Sequence, residues 1–276
     1  MSERARLARV EHLVQTLFNV RRAGAARGDH LGLDAGWLDH RIDLFRRYCA
    51  PSVANQTSQQ FRWLIYVDPY TSTEATHAIK ALVTKIDNEL VPIDSAQDVD
   101  QEVARRVGDA QVITTKLDND DALDRNHIHR VRSAIDAGAR SVKFTSGVVV
   151  FTDSGRAYRL LQRHSPFYSL VADPGGVTAG SLSQADLHML PQPIKELPMG
   201  FLRVIHDRNI WGTSGAIGGR VSHDAVYRRF ALEPIAAQPE SVGALAADYA
   251  QSYARETLWR ARRRASHLKR SMRPKA

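Results

Sequence analysis

Three aspartates and an asparagine stand together in "QVITTKLDNDDAL", residues 111–123, directly after a β-like run. Like charges this close repel, and a folded chain accepts them readily only where water, a cation or basic side chains offset the repulsion. Several chemistries use such a cluster. A calcium loop starting at Asp118 needs Gly at its sixth position and Glu at its twelfth. Leu123 and His129 stand there, which excludes it. A phosphate-accepting aspartate remains open, although Ala122 stands where that class carries Thr or Val. A plainer role is capping: Asp120 or Asp121 would cap a helix beginning near Leu123 and complement its dipole. One cap uses one aspartate and leaves Asp118 unexplained. The remaining chemistry is a clamp for a divalent cation and a diphosphate. Mg²⁺ or Mn²⁺ takes oxygen ligands, one or two carboxylates hold it, and phosphate oxygens complete the shell. Asp118 and Asp120, one residue apart in a turn, can face one ion, which would offset charge on a departing nucleoside diphosphate.

The elements that must position this cluster alternate. "EHLVQTLFNVR" (11–21) reads as a buried strand, followed by a Gly/Ala/Asp-rich loop. Trp37, Leu38, Ile42, Phe45 and Tyr48 keep helical spacing up to Pro51, which is expected to stop the helix. "FRWLIYVD" (61–68) reads as a central strand, 73–86 as a helix, "ELVPI" as a short strand, and "DVDQEVARRV" as a helix. "AQVITTKLD" is the next strand, and "DRNHIHRVRSAIDAG" a helix closed by Gly138. "SVKFTSGVVVFTDSG" is expected to form a hairpin around Ser146-Gly147, with a further turn at Asp153-Ser154-Gly155. Strand–helix alternation predicts an α/β fold with a doubly wound sheet. Such sheets bind ligands beyond the carboxyl ends of their strands, where Asp68 and Asp118 fall. Residues 172–200, with Gly175, Gly176, Gly180 and four prolines, read as a long loop.

The chain has 276 residues and a net charge of +8, but the charge is local. Residues 255–276 hold nine basic side chains and one acid, and the rest balances at 29 of each sign. Leu258, Ala261, Ala265, Leu268 and Met272 trace an apolar stripe through this tail, so it is expected to be a basic helix. Packing on the body is the first reading, contact with an anionic membrane surface the second, and nucleic acid the third. The expected division is 1–235 as one α/β domain and 236–276 as a helical basic extension. The N-terminus carries no apolar signal segment, and no apolar run approaches membrane-spanning length. A single cysteine, Cys49, excludes an internal disulfide and reads as a buried core residue. The expected location is cytoplasmic, with residues 255–276 able to rest on the inner membrane surface.

More than the acidic triplet follows a known pattern. "LFNVR" (17–21), "WLDHRIDLFRRYCAPSVANQTSQQFRWLIYVD" (37–68), "ITTKLDNDDAL" (113–123), "SPFYSLV" (165–171) and "GFLRVIHDRNIWG" (200–212) run in the order found in the bacterial rhamnosyltransferase family. The chain resembles this family, a GT-A-like group, over roughly residues 11–215. The resemblance implies a GT-A-like, Rossmann-type, doubly wound mixed sheet, a nucleotide-sugar donor, Mn²⁺ or Mg²⁺, and glycosyl transfer to a glycan, lipid-linked or protein acceptor. It places Asp118 and Asp120 on the Asp-X-Asp metal motif, with Asp121 behind. His206 falls where such enzymes bring a histidine to the metal or diphosphate, with Asn209 beside it and His188 a weaker candidate. Asp68 would contact the nucleoside, and Asn19, Arg21 and Arg22 stand at the first strand end, near the donor. The pattern departs at Leu17, where the family carries Arg, and at "ADPGG" after "SPFYSLV", where a Glu-containing stretch is expected. That leaves Asp153, Asp173, Asp186 and Glu196 as candidate general bases for the acceptor hydroxyl, with Asp173 chosen because it opens the Gly-rich loop. Trp37 and Trp63 fit core positions, whereas Trp211 could stack on a sugar or base. Two rivals stand beside this reading: a non-catalytic nucleic-acid or membrane-surface binder on the same fold, and a metal-dependent phosphotransfer enzyme.

Overall fold

The computed structural model describes residues 10–21, 31–162, 165–209 and 216–232, together with scattered residues between 243 and 258. Two mixed sheets share a hydrophobic cluster that runs between them. The first has seven strands in the order β10-β6-β9-β4-β1-β2-β3. Its strands are β1 (Glu11–Leu17), β2 (Arg62–Val67), β3 (Asn88–Pro92), β4 (Val112–Lys116), β6 (Ser141–Phe144), β9 (Tyr168–Ala172) and β10 (Ile194–Leu197). The second has five, β12-β8-β7-β11-β5: β5 (Ala122–Leu123), β7 (Ser146–Phe151), β8 (Ala157–Leu161), β11 (Phe201–Ile205) and β12 (Ala216–Val221). The helices are α1 (Ala35–Leu44), α2 (Ala50–Ala54), α3 (Thr73–Leu82), α4 (Val99–Val107), α5 (His127–Asp136) and α6 (His223–Phe230).

β3, β2, β1 and β4 run parallel, as strand–helix alternation requires. β1 lies inside the sheet between β4 and β2 and is buried on both faces, so its polar residues must find partners inside. They do: His12 meets Thr115 Oγ1 at 2.7 Å, Gln15 accepts the Gly180 N–H at 2.8 Å, and Thr16 accepts the Trp63 indole N–H at 3.0 Å. β9 then enters antiparallel between β4 and β6, which makes the sheet mixed.

The structure corrects three local expectations. Pro51 does not end its helix. A π-helical turn, Phe45–Cys49, precedes it, and Ala50 N–H reaches back to Phe45 O. The widened turn lets proline, which lacks a donor, open α2 without a lost bond. The 141–151 segment is not a hairpin. β6 belongs to the first sheet and β7 to the second, and the hairpin is formed by β7 and β8 across Asp153-Ser154-Gly155. Gly147 lies mid-strand because a Cβ there would stand 2.2 Å from Phe201 O. The expected loop 172–200 contains the edge strand β10 and a 3₁₀ turn, Gln184–Met189.

The two sheets join through Phe167 and Phe201, stacked at 4.1 Å, while Phe45 packs on Trp63 at 5.3 Å. Cys49 and Trp63 are core residues as expected. The boundary at 235/236, Arg22, Trp211 and, except for Thr257 and Leu258, the basic tail lie outside the described residues. Asp248 anchors the extension: buried, it accepts from Tyr158 Oη at 2.9 Å and Arg220 at 2.7 Å, both on the second sheet. Among the described residues no helix is long and apolar enough to cross a membrane.

His127 is fully buried at the start of α5, its ring tilted against Phe144 with centroids 4.2 Å apart, with Nδ1 donating to Gly200 O at 3.0 Å. Burial lowers its pKa to about 4. The unfolded chain, with an ordinary histidine, binds the proton first between about pH 6.5 and 4, so this residue's contribution to stability falls as pH drops through that window. One group with this shift is worth about 3 kcal/mol. His127→Phe should flatten the pH dependence of unfolding between pH 6.5 and 4 by about that amount in urea titrations. A variant curve parallel to wild type would refute the assignment.

Candidate functional site

The parallel strands β1, β2 and β4 end on one edge of the first sheet, and their last turns carry Asn19, Asp68 and Asp118–Asp121. After Asp121 the chain forms β5, which pairs antiparallel with β11, Ala122 opposite Leu202. In this register each step back toward Asp120 is a step forward along β11 toward His206. The pairing therefore delivers the acidic turn to the end of a strand 80 residues away. Asp121 accepts the Val204 N–H at 2.8 Å, and Asp120 Oδ2 lies 3.1 Å from His206 Nε2.

The capping role is excluded. α5 begins at His127, after β5, and it is Asp124 whose side chain accepts the Asn126 N–H. Asp120 and Asp121 are buried for another purpose. Arg41 on α1 donates to Asp120 Oδ2 at 2.7 Å, and the same Nη1 lies 3.2 Å from His206 Nε2. Side-chain exposure is 16% for Arg41 and 10% for Asp120, so this is an interior pair rather than a surface one. Burial pushes the Asp120 carboxyl up, but Arg41 and His206 outweigh it and hold it below the ordinary value. Burial, then the charge of Asp120, push Asp121 well above the ordinary value. Adjacent aspartates thus divide: Asp120 carries the charge, and Asp121 is disposed to keep its proton.

His206 has a definable tautomer. At Nε2 the nearest group is the Asp120 carboxylate, an acceptor at 3.1 Å onto which Arg41 Nη1 itself donates at 2.7 Å, and at Nδ1 the Arg208 N–H, a donor, approaches to 3.2 Å; together these favour the neutral ring with its hydrogen on Nε2. Asn209 forms the turn that holds this ring. Its Oδ1 accepts the His206 N–H, and its own N–H donates to His206 O at 3.2 Å. The turn is tied to α1 by Arg208 Nη1 on Gly36 O at 3.0 Å and by His40 Nε2, 3.2 Å from His206 Nδ1. Burial, then His206, lower the His40 pKa.

The other expected site residues divide. Asn19 is buried and bonded to Gly32 O, Thr71 Oγ1 and the Asp68 N–H, so it braces the ends of β1 and β2. Asn119 ties β4 to β1 through Phe18 O at 2.6 Å. Asp68 is buried, accepts the Tyr70 N–H at 2.8 Å and shapes the turn after β2. Arg21 leans to Asp94 O, beyond β3. Asp118 is exposed at the edge. His188 is exposed in the 3₁₀ turn.

Asp173 does not join the cluster. It follows β9, which runs antiparallel, so the carboxyl end of β9 lies at the amino end of β4. Asp173 accepts from Gln111 at 2.7 Å and Arg140 at 2.8 Å, and Gln111 lies seven residues before Asp118 along an extended chain, roughly 20 Å away. The two hydrogen bonds also lower its pKa, which weakens it as a base. Of the other carboxylates, Asp153 borders an open cavity of about 400 Å³ formed with Phe151, Arg156, Tyr158 and Ile217 at the end of β7. Phe151 pairs with Ile205, the residue before His206.

Arg41 and His40 are the site residues that sequence reasoning missed. Arg41 falls within the apolar stripe of α1, four residues after Trp37 and four before Phe45. A charged residue in an apolar stripe needs a buried partner, and that was the available signal. The expected cation set of Asp118, Asp120 and His206 does not fit a divalent ion as it stands. The guanidinium of Arg41 lies on Asp120 Oδ2, His206 turns its Nε2–H toward the same oxygen, and Asp118 remains outside the cluster.

Residues 5–174 match the family model described as "Putative rhamnosyl transferase". The chain belongs to this family. Asp120, Arg41 and His40 lie inside the matched span, and His206 outside it. No curated protein matches the chain. Among solved structures it is similar to TarS 1–349 of S. aureus, with a TM-score of 0.43 and 10% identity over 71% of this chain and 60% of that one. The same protein in complex with UDP gives 0.40 and 9% over the same shares. A structure titled "putative nucleotide-diphospho-sugar transferase from Desulfovibrio desulfuricans G20" gives 0.33 and 10%, over 72% and 83%. The chain thus spans about 60% of the length of TarS 1–349.

Breaking a buried ion pair from one side leaves an uncompensated charge and costs about 3 kcal/mol, whereas a surface pair costs under about 1. Arg41→Met and Asp120→Asn should each lower unfolding stability by about 3 kcal/mol in urea, and the double variant by at least about 2 kcal/mol less than their sum. Additive, small effects would mean the pair carries no structural weight.

Proposed function

We propose that the protein transfers a sugar from a nucleotide-diphosphate donor, with the diphosphate received at the edge formed by Asp118, Arg41 and His206. The observation that carries this reading is the buried Asp120–Arg41–His206 node at the carboxyl edge of a parallel sheet, in a chain of a rhamnosyl transferase family. Such edges are where open α/β sheets take nucleotide ligands. The nucleoside would lie over the ends of β1 and β2 near Asp68. Arg41, whose Nε is buried without a hydrogen-bond partner, has donor capacity left for phosphate oxygen. The family description supports rhamnose as the sugar.

The reaction is displacement at the anomeric carbon. The bond to the leaving phosphate oxygen breaks, the acceptor oxygen forms the new bond, and its proton passes to a base on the acceptor side. Asp173 is too far from the edge for that role. The cavity bounded by Phe151, Tyr158 and Asp153 offers an aromatic wall and a carboxylate beside β11, the strand just before His206, and it is our candidate for the acceptor side. Mn²⁺ or Mg²⁺, expected from the resemblance, would supply further charge against the diphosphate. The Arg41–Asp120 pair argues against Asp120 as its ligand, so no step here is routed through it. Residues 255–276 remain a candidate contact with an anionic membrane surface, and nucleic acid is not part of the reading.

A melting panel of UDP, GDP, dTDP, CDP and ADP tests the donor side. A ligand at about 100 times its Kd adds about 2.7 kcal/mol, or roughly 5 °C or more for a chain of this size. One diphosphate should produce that shift, and its sugar conjugate should release the diphosphate when acceptor is added. No shift with any of the five, and no diphosphate release, would reject the reading and favour the binding-protein alternative. Net hydrolysis without transfer would favour the phosphotransfer alternative.

A further inference from the structure

His206 has a second edge, turned away from Asp120. Its Nδ1 lies 3.2 Å from His40 Nε2 and 4.0 Å from Asp207 Oδ1, and His40 Nε2 lies 3.9 Å from the same carboxylate oxygen. Two imidazole nitrogens and one carboxylate oxygen therefore form a triangle within 4.8 Å. A single ion with bonds of about 2.0–2.2 Å sets neighbouring ligand atoms about 3.0–3.5 Å apart. The His–His edge already meets that spacing, and Asp207 must close by about 0.5 Å. Its side chain is 78% exposed, so nothing packed holds it back.

The three donors come from two elements held in fixed relation. His40 lies on α1, and His206 and Asp207 follow β11. Arg208 joins them by bonding Gly36 O at the start of α1. The tautomer is also the required one. With Nε2–H given to Asp120, His206 presents its Nδ1 lone pair to His40 and Asp207. A carboxylate behind a ligating histidine fixes the ring and raises the basicity of the other nitrogen. Arg41 in turn fixes that carboxylate. An ion at Nδ1 would replace two long contacts of 3.2 Å, from the Arg208 N–H and from His40 Nε2.

We propose that His40, His206 and Asp207 bind a divalent ion that accepts imidazole, such as Zn²⁺, Co²⁺ or Mn²⁺, with Asp120 and Arg41 as the outer groups that orient His206. Two nitrogens and one oxygen suit such ions better than Mg²⁺, which prefers oxygen alone. The site differs from the one expected on Asp118 and Asp120, because it uses the opposite nitrogen of His206 and leaves Asp120 its partner. It does not depend on the glycosyltransferase reading, since the donors are defined without reference to a substrate.

The test is a titration of the full chain, stripped with chelator, with Co²⁺ alone, read by visible absorption and calorimetry, and repeated with Zn²⁺ as competitor. One ion should bind, with ligand-field bands that Zn²⁺ removes. His40→Ala and Asp207→Asn should each weaken binding at least tenfold, with circular dichroism unchanged because both side chains are solvent-accessible. Asp118→Asn should bind like wild type. Absence of saturable binding would overturn the proposal. So would loss of binding in Asp118→Asn with retention in His40→Ala, which would put the ion on the acidic turn. Donor binding and transfer are measured separately, so failure here leaves the substrate reading standing.

Discussion

A carboxylate cannot be buried alone. The cost of removing Asp120 from water obliges the chain to bring it a cation and a second hydrogen bond, and most of the local architecture meets that demand. Arg41 comes from a helix near the start of the chain, and His206 from a strand end far along it. Neither could approach the other without the carboxylate between them. The node is therefore both a structural fastening between α1, the acidic turn and β11, and the polar centre of the sheet edge where a donor would bind.

The second sheet makes the node possible. β5 is only two residues long, yet its pairing with β11 sets the register that carries Asp121 to the Val204 N–H and Asp120 to His206. Gly147 lets β7 lie close enough to support β11, and the Asn209 turn stops β11 where His206 faces inward. The neighbouring Asp121 is set differently: Arg203 acts to lower its pKa, but burial and Asp120 outweigh it. It takes a backbone donor, and burial beside Asp120 favours its protonated form. Three aspartates within four positions are tolerated because one faces water, one is paired and one is inclined to stay neutral.

Much of this was legible from sequence, for physical reasons that differ by element. β1, β2 and β4 announce themselves as short apolar runs bounded by polar turns, and their parallel order follows from the helices between them. Asp68 and the acidic turn fall at the expected edge because those strands are parallel. Asp173 was chosen because it opens the Gly-rich loop, but the strand before it, β9, is antiparallel, and its carboxyl end lies at the other edge. Strand direction is a tertiary property that a local run of residues does not encode. His40 and Arg41 were hidden because a helical pattern draws attention to apolar positions, although Arg41 within the stripe was itself the anomaly. Pro51 misled because the π turn before it absorbs the missing donor. The supposed hairpin misled because β6 and β7 enter different sheets, a choice made by partners remote in sequence.

The proton on His206 decides the account most directly, because the node and the opposite donor edge both depend on which nitrogen holds it. Long-range ¹H–¹⁵N correlation spectra of histidine-labelled protein at neutral pH, with His206 assigned by its loss in His206→Gln, read that proton without any substrate. The account predicts the neutral tautomer with hydrogen on Nε2 and an unprotonated Nδ1. A ring protonated on Nδ1 alone would contradict it, since the Arg208 N–H would then face a donor and Asp120 would have lost its histidine partner.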